Sequence, residues 1–332
     1  MNPIERVVRP VDRFQQGHTV PSVVFAVTKK FGDDNAGVLV SNLAYAGFAA
    51  VFPLLLLLVT ILGIVLRGNA SLRDRILHST LSEFPIIGAQ LGNNIHALQK
   101  GSSLALVIGI VGLVWSSTGL AQAGLFAMAQ VWDLPGPERP NYVTRLVRSF
   151  GFLGVLVLGV IVTTALASFG TFSGHVWYLV IGAEVIAGLV NIGQYFLAFR
   201  VLTPKVVPTR RLVPGSVFGG VGWTVLQALG GYFVGHQLKN TSQVYGTFAL
   251  VLGLLAWIYI GVQLSIYAAE LNVVLAEHLW PRSIVQPPLT EADERALAAQ
   301  VTENQRRPEQ HVGVSYEKPA PERRFEQSGR SA

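Results

Sequence analysis

Glu184 and Glu270 are the side chains of this sequence best placed to do chemistry, because each lies within an apolar run long enough to cross a bilayer. An acidic residue at mid-membrane costs roughly 2.5 to 3.5 kcal/mol on insertion scales, so it must meet protein, water or headgroups. Glu270 belongs to YGTFALVLGLLAWIYIGVQLSIYAAELNVVLAE, from Tyr245 to Glu277, in which Tyr259, Gln263 and Glu270 share one helical face. Glu184 shares a face with Gly188 and Asn191 in the run 176–199, and Gln194 lies a little way around it. If the two faces met, they would line a cavity able to take a proton, a cation or a polar headgroup. The plainer alternative is that each glutamate bonds a neighbouring helix and sets its register.

Other chemistries find less support. The seven histidines are scattered over different segments, and no cysteine is present, so thiolate metal sites and disulfides are excluded. Glu277 precedes His278 directly, but adjacent helical residues diverge too far to share a metal. No GxSxG, HExxH or Walker A pattern occurs. No catalytic residue, metal ligand or cofactor site is therefore expected, and nothing supports an enzyme.

The elements that must hold the two acids are membrane helices. Half of the chain (51%) is hydrophobic and 13% is charged, about half the usual charged share of a soluble domain. The expected architecture is an all-α, polytopic bundle of six transmembrane helices, over about 38–66, 104–131, 149–169, 176–199, 213–235 and 245–277. A leader, 1–37, carries an interfacial helix in which Val23, Val27 and Phe31 repeat at four-residue spacing. Residues 67–103 are too polar to span and suggest extramembrane amphipathic helices. Residues 281–332, rich in Pro, Gln, Glu and Arg, read as a disordered tail.

Two features concern packing. Pro53 interrupts the first span, either as a hinge or as a packing feature. The fifth span carries small residues in parallel stripes, including Gly215, Gly219, Gly220 and Thr224, which let neighbouring backbones approach closely. It should be a central packing helix.

Orientation follows from the basic residues. With both termini cytoplasmic, inside segments hold 20 Lys and Arg and outside segments 5. The tail's eight basic and eight acidic residues cancel, so the formal excess of +6 belongs to the membrane part and its loops. Those loops should meet anionic lipid headgroups. On this topology Glu184 lies roughly 12 Å deep. Glu270 should sit near the cytoplasmic boundary, where it could reach Arg200, Arg210 or Arg211.

Several motifs taken together resemble a known family. NLAYAGFAAVFPLLLLL (Asn42–Leu58) is similar to the first-span signature of the YihY/BrkB family of bacterial inner-membrane proteins. Trp115-Ser116-Ser117 with the later VWDLPG resembles its second span, and Pro214-Gly215 the start of its fifth. The ending Tyr245-Gly246 … Leu255-Ala256-Trp257-Ile258-Tyr259 … Ala269-Glu270-Leu271-Asn272 resembles the family's YG…LLWLY…GAELN. The likeness covers about 20–280, and the leader and tail suggest the YhjD-like branch. Ala46 stands where the family has a second tyrosine, and Ala268 where it often has glycine.

The resemblance implies a six-span protein of the bacterial inner membrane of poorly defined role, and a polar cavity inside the bundle would suit transport of an envelope-related amphiphilic or lipid-like molecule. The family has also carried a "ribonuclease BN" label. A nuclease needs a hydrated catalytic site beside a broad basic groove, and the acids here are intramembrane, so no nucleic-acid partner is expected. A non-transporting scaffold for an envelope complex is the alternative.

Overall fold

The computed structural model describes residues 3–65, 103–172, 177–237 and 246–316, and all the regular structure among them is helical. Nine α-helices follow in order among these residues: α1 Pro3–Gln16, α2 Thr19–Asp33, α3 Ala36–Val65, α4 Ser103–Val131, α5 Tyr142–Phe172, α6 Trp177–Leu202, α7 Val213–Gln237, α8 Gly246–Ala276 and α9 Glu291–Glu303. Short 3-10 turns at Gly136–Glu138 and Thr209–Leu212 lead into α5 and α7. The amphipathic helices expected over 67–103 lie outside the described residues.

Helices α3 to α8 each contain a stretch long and apolar enough to span a bilayer, six in all among the described residues. Each packs on the next, and α8 returns to α3, so the six spans close into a ring. In no span are more than 28% of the residues buried against protein. Large side chains such as Phe52, Val111 and Leu189 are exposed instead, as a hydrocarbon solvent requires.

The best-buried core lies at one end of the ring, where both terminal segments meet it. Ala26 and Val27 of α2, Val40 of α3, Val131 of α4, Leu212, and Ile266, Val273 and Val274 of α8 are packed there. Phe31 of α2 stacks on Tyr267 of α8 with ring centroids 4.3 Å apart. The leader is thus more than the expected interfacial helix, because α2 lays its apolar stripe against the sixth span.

Residues 281–316 depart from the expected tail more sharply, and 317–332 lie outside the described residues. Instead of a solvated, structureless segment, residues 281–316 fold back over this end of the bundle, with α9 at their centre. Helix α9 starts because Thr290 and Asp293 form a reciprocal capping box: the Thr290 side chain accepts from the Asp293 amide, and Asp293 accepts from the Thr290 amide. Gly136 N–H donates to Gln305 O at 2.8 Å, tying the far end of α9 to the turn after α4.

Helix α5 starts at Tyr142, ahead of the expected third span at 149, so Arg145 and Arg148 are helical, and their heads reach Gln122 Oε1 (3.1 Å) and Thr203 O (3.0 Å). Helix α3 continues through Pro53, whose ring packs against Gly112 of α4, where an added Cβ would lie 3.1 Å away. That contact favours packing over a hinge.

Candidate functional site

Glu270 is fully buried at the leader-and-tail end of the ring. Its neighbour is Lys30 of α2, 3.9 Å away, not Arg200, Arg210 or Arg211 as the sequence suggested. Arg211 instead pairs with the exposed Glu277 beyond α8. The correction has a physical reason: α2 lies against α8 and carries a basic side chain at the depth where the carboxylate needs one.

Lys30 is itself 2% exposed and holds two further carboxylates, Asp34 Oδ2 at 2.6 Å and Asp133 Oδ2 at 3.0 Å. Burial pushes the Lys30 ammonium toward neutrality, but the charges of Glu270, Asp133 and Asp34 outweigh it and hold the proton more tightly than usual. Asp133 is pushed up to about 6, chiefly by burial and against the pull of Lys30. It terminates α4 with φ 47°, a left-handed conformation that asparagine or aspartate tolerates among non-glycine residues. Gln300 of α9 reaches Asp34 Oδ1 at 3.3 Å, and Glu303 accepts from Gln130 and Arg139 beside it. Neither oxygen of Glu270 receives a hydrogen bond from the described residues.

The remaining expected cavity residues do not join Glu270. Asn191 of α6 is buried and donates to Thr224 Oγ1 and Gln227 Oε1 of α7, each at 3.0 Å, so it fastens two helices. Gln194 lies against Gly159 of α5. Helix α7 stands between α6 and α8 in the ring, so the faces of the fourth and sixth spans do not meet broadly. Tyr195 Oη of the one meets Ser265 Oγ of the other at 3.0 Å, past the notch at Gly219. Glu184 is exposed, Tyr259 is 38% exposed and Gln263 is half-buried. None of the three has a hydrogen-bond or ion-pair partner among the described residues.

Helix α7 is the packing element its glycines suggest. Gly215 N–H donates to Asn272 Oδ1 at 2.6 Å, satisfying a first-turn amide that the helix itself cannot. A Cβ at Gly215 would run into the Ala268 carbonyl and the Asn272 amide. Glycine is required there by close approach.

A second polar cluster fastens the tail. Asp293 is fully buried and accepts from Lys29 Nζ (2.8 Å), Arg282 Nε (2.9 Å), and the Ser283 amide and hydroxyl (2.9 and 2.7 Å). Arg282, 1% exposed, also pairs with Asp33 at 2.9 Å. Asp12 of α1 accepts from the Ile284 and Val285 amides. Burial alone would raise the Asp293 pKa, but the bonds from Lys29, Ser283 and Arg282 drive it well below the usual carboxylate range. Its contribution is therefore fully present above the unfolded value of 3.8 and disappears as the pH falls below it. Asp293→Ala removes the acceptor and leaves Arg282 with one partner, a loss on the order of 3 kcal/mol. We expect trypsin to cut the 281–316 segment of that variant at least about tenfold faster than in wild type. Unchanged cleavage would show that the segment is held by other contacts.

Lys30, Asp34, Asp133, Arg282 and Asp293 were not singled out in the sequence. The signals present were local: Lys30 and Asp34 at helical i,i+4 spacing, and Thr290-x-x-Asp293 as a capping box. The long-range partners have no sequence signature. Among the described residues, no group of three His, Asp or Glu side chains is arranged to hold a metal ion.

Residues 27–289 match the family described as virulence factor BrkB. A UPF0761 membrane protein of Alcanivorax borkumensis is 25% identical over 82% of this chain and 65% of its own length. A Bacillus subtilis protein named ribonuclease-like protein YfkH is 22% identical over 71% of this chain and 88% of its own. A UPF0761 membrane protein of Pseudomonas aeruginosa is 26% identical over 80% of this chain and 66% of its own. The chain thus spans just under two thirds of the length of the Alcanivorax and Pseudomonas relatives. No solved structure matches it.

Proposed function

The chain belongs to the virulence factor BrkB family of membrane proteins, and from that membership and its helical ring we propose that it transports an amphiphilic, lipid-like molecule of the cell envelope. The observation that carries the reading is the set Glu184, Tyr259 and Gln263. These polar side chains stand on span helices without partners among the described residues. In hydrocarbon such groups cost several kcal/mol each, so they need water or a polar guest. An amphiphile supplies polar atoms for them and apolar atoms for the surrounding walls. The excess of basic residues at the leader-and-tail end supports placing that end in the cytoplasm and the protein in the inner membrane, with anionic headgroups around it.

The test is lipid scrambling or amphiphile flux in liposomes reconstituted with wild type and with Glu184→Gln. We expect wild type to move a labelled lipid and the variant to be slower by about tenfold, equivalent to about 1.4 kcal/mol of barrier. No movement by wild type, with a known scramblase working in parallel, would sink the reading.

A scaffold is the second reading, and the fastened tail favours it, because residues 281–316 present an ordered surface at the terminal end. A strong phenotype on deleting that segment, with Glu184 and Glu270 dispensable, would support the scaffold. Neither reading uses nuclease chemistry. Glu270 is sealed from water, whereas phosphodiester hydrolysis needs a hydrated site beside a groove for nucleic acid.

A further inference from the structure

The cluster around Lys30 is under-compensated. Three carboxylates, Asp34, Asp133 and Glu270, face one ammonium. Two of them hydrogen-bond to Lys30, whereas Glu270 stands back at 3.9 Å with both oxygens buried and undonated. An ionised carboxylate in that position would lack the donors that normally accompany a buried charge. No other element among the described residues relieves it. Helices α3 and α7 contain no Asp, Glu, Lys or Arg. On α2, Lys29 is committed to Asp293 and Asp33 to Arg282. The nearby Arg139 is engaged by Glu303, and Arg211 by Glu277.

We propose that this tetrad is an exchangeable proton site, in which Glu270 carries a proton directed at a carboxylate oxygen of Asp34. A protonated Glu270 becomes a donor beside Asp34, which is held on the same ammonium, and the net negative charge of the tetrad falls by one. Proton exchange with solvent has a short route, since Asp34 is 8% exposed under Gln300 of α9 while Glu270 is sealed. The site lies where the leader, the spans and the returning tail meet. Loading or emptying it changes the electrostatic hold between α2, α4 and α8. Proton movement thereby supplies the energy for passage through the ring, a step that rests on the transport reading above.

The site can be tested without transport. Purified full-length protein in lipid nanodiscs is examined by infrared spectroscopy for the carbonyl stretch of a protonated carboxyl at about pH 7, where ordinary carboxyls are ionised. We expect the band in wild type and in Glu184→Gln, and its loss in Glu270→Gln. Asp133→Asn should keep the band but lower its titration midpoint by about one pH unit or more, because one competing negative charge is gone. That variant also serves if Glu270→Gln fails to fold. Absence of the band in wild type, or a midpoint indifferent to Asp133→Asn, would overturn the proton site. In liposomes, flux that is unchanged by an imposed proton gradient would overturn the coupling. A band with no flux under any condition would defeat the transport reading and leave the site standing.

Discussion

Replacing Lys30 with methionine is expected to cost about 3–5 kcal/mol and to leave little folded protein at neutral pH. The substitution keeps the length and much of the apolar stem but removes the ammonium that stands among Asp34, Asp133 and Glu270. Packing loss alone is small for a swap of this shape. The pH response separates the two causes. With Lys30 absent, burial acts unopposed on Asp133, which already sits at about 6 in its presence. A carboxyl whose folded pKa lies above its unfolded value contributes stability that is fully present below the unfolded value. That stability is lost as the pH rises through the folded pKa. The variant should therefore be rescued by mild acid, between the ordinary value of 3.8 and a folded value above 6. The Asp293 latch moves the opposite way, weakening only in stronger acid. Thermal melting of detergent-solubilised protein by fluorescence-detected size exclusion, repeated across pH, reads both. A variant that melts equally early at every pH would show that Lys30 acts by packing and that the tetrad carries no excess negative charge.

The sequence made the bundle legible and the tetrad illegible, for reasons that differ in range. Six apolar runs announce six spans because a lipid solvent leaves each helix to satisfy its own backbone. The glycine stripe of α7 was equally readable, since close approach demands small residues whatever the neighbour is. Glu270 stood out because an acid in an apolar run is costly wherever it lands. Its partner did not stand out, since Lys30 sits in a polar-looking leader 240 positions earlier and resembles an ordinary helix-end charge. The same holds for Asp133, which reads as a turn residue in DLPG until its side chain is seen on Lys30. Composition misled most in the tail. Pro, Gln, Glu and Arg suggest solvation, yet Arg282 and Asp293 exchange bonds with α2 that composition cannot register. The polar residues of the sixth span share a helical spacing but not their surroundings. Glu270 lies in the sealed end, and Tyr259 and Gln263 remain partly open further along.

Enlarging the α7 notch residues is expected to be the other severe change. At Gly220 an added Cβ would lie 2.5 Å from the Ile192 Cα, and at Gly215 it would strike the Ala268 carbonyl. Both obstacles are backbone of the neighbouring helices, α6 and α8, and cannot swing aside as a side-chain tip can. Helix α7 touches both neighbours, so a forced shift at either glycine breaks contacts on two sides. It would also pull Asn191 from Thr224, or Asn272 from the Gly215 amide. Overpacking of this kind costs about 1–3 kcal/mol where the site can yield, and the rigidity here argues for the upper end. We expect Gly215→Ala and Gly220→Val each to lower the melting temperature strongly or to abolish monodisperse protein. Gly193→Ala is the matched control: it also lies in a span, but nothing stands within 4 Å of the added carbon. Helix propensity alone then favours alanine there by about 1 kcal/mol. Equal melting of Gly220→Val and Gly193→Ala would mean that α6 and α7 do not approach as closely as this ring requires.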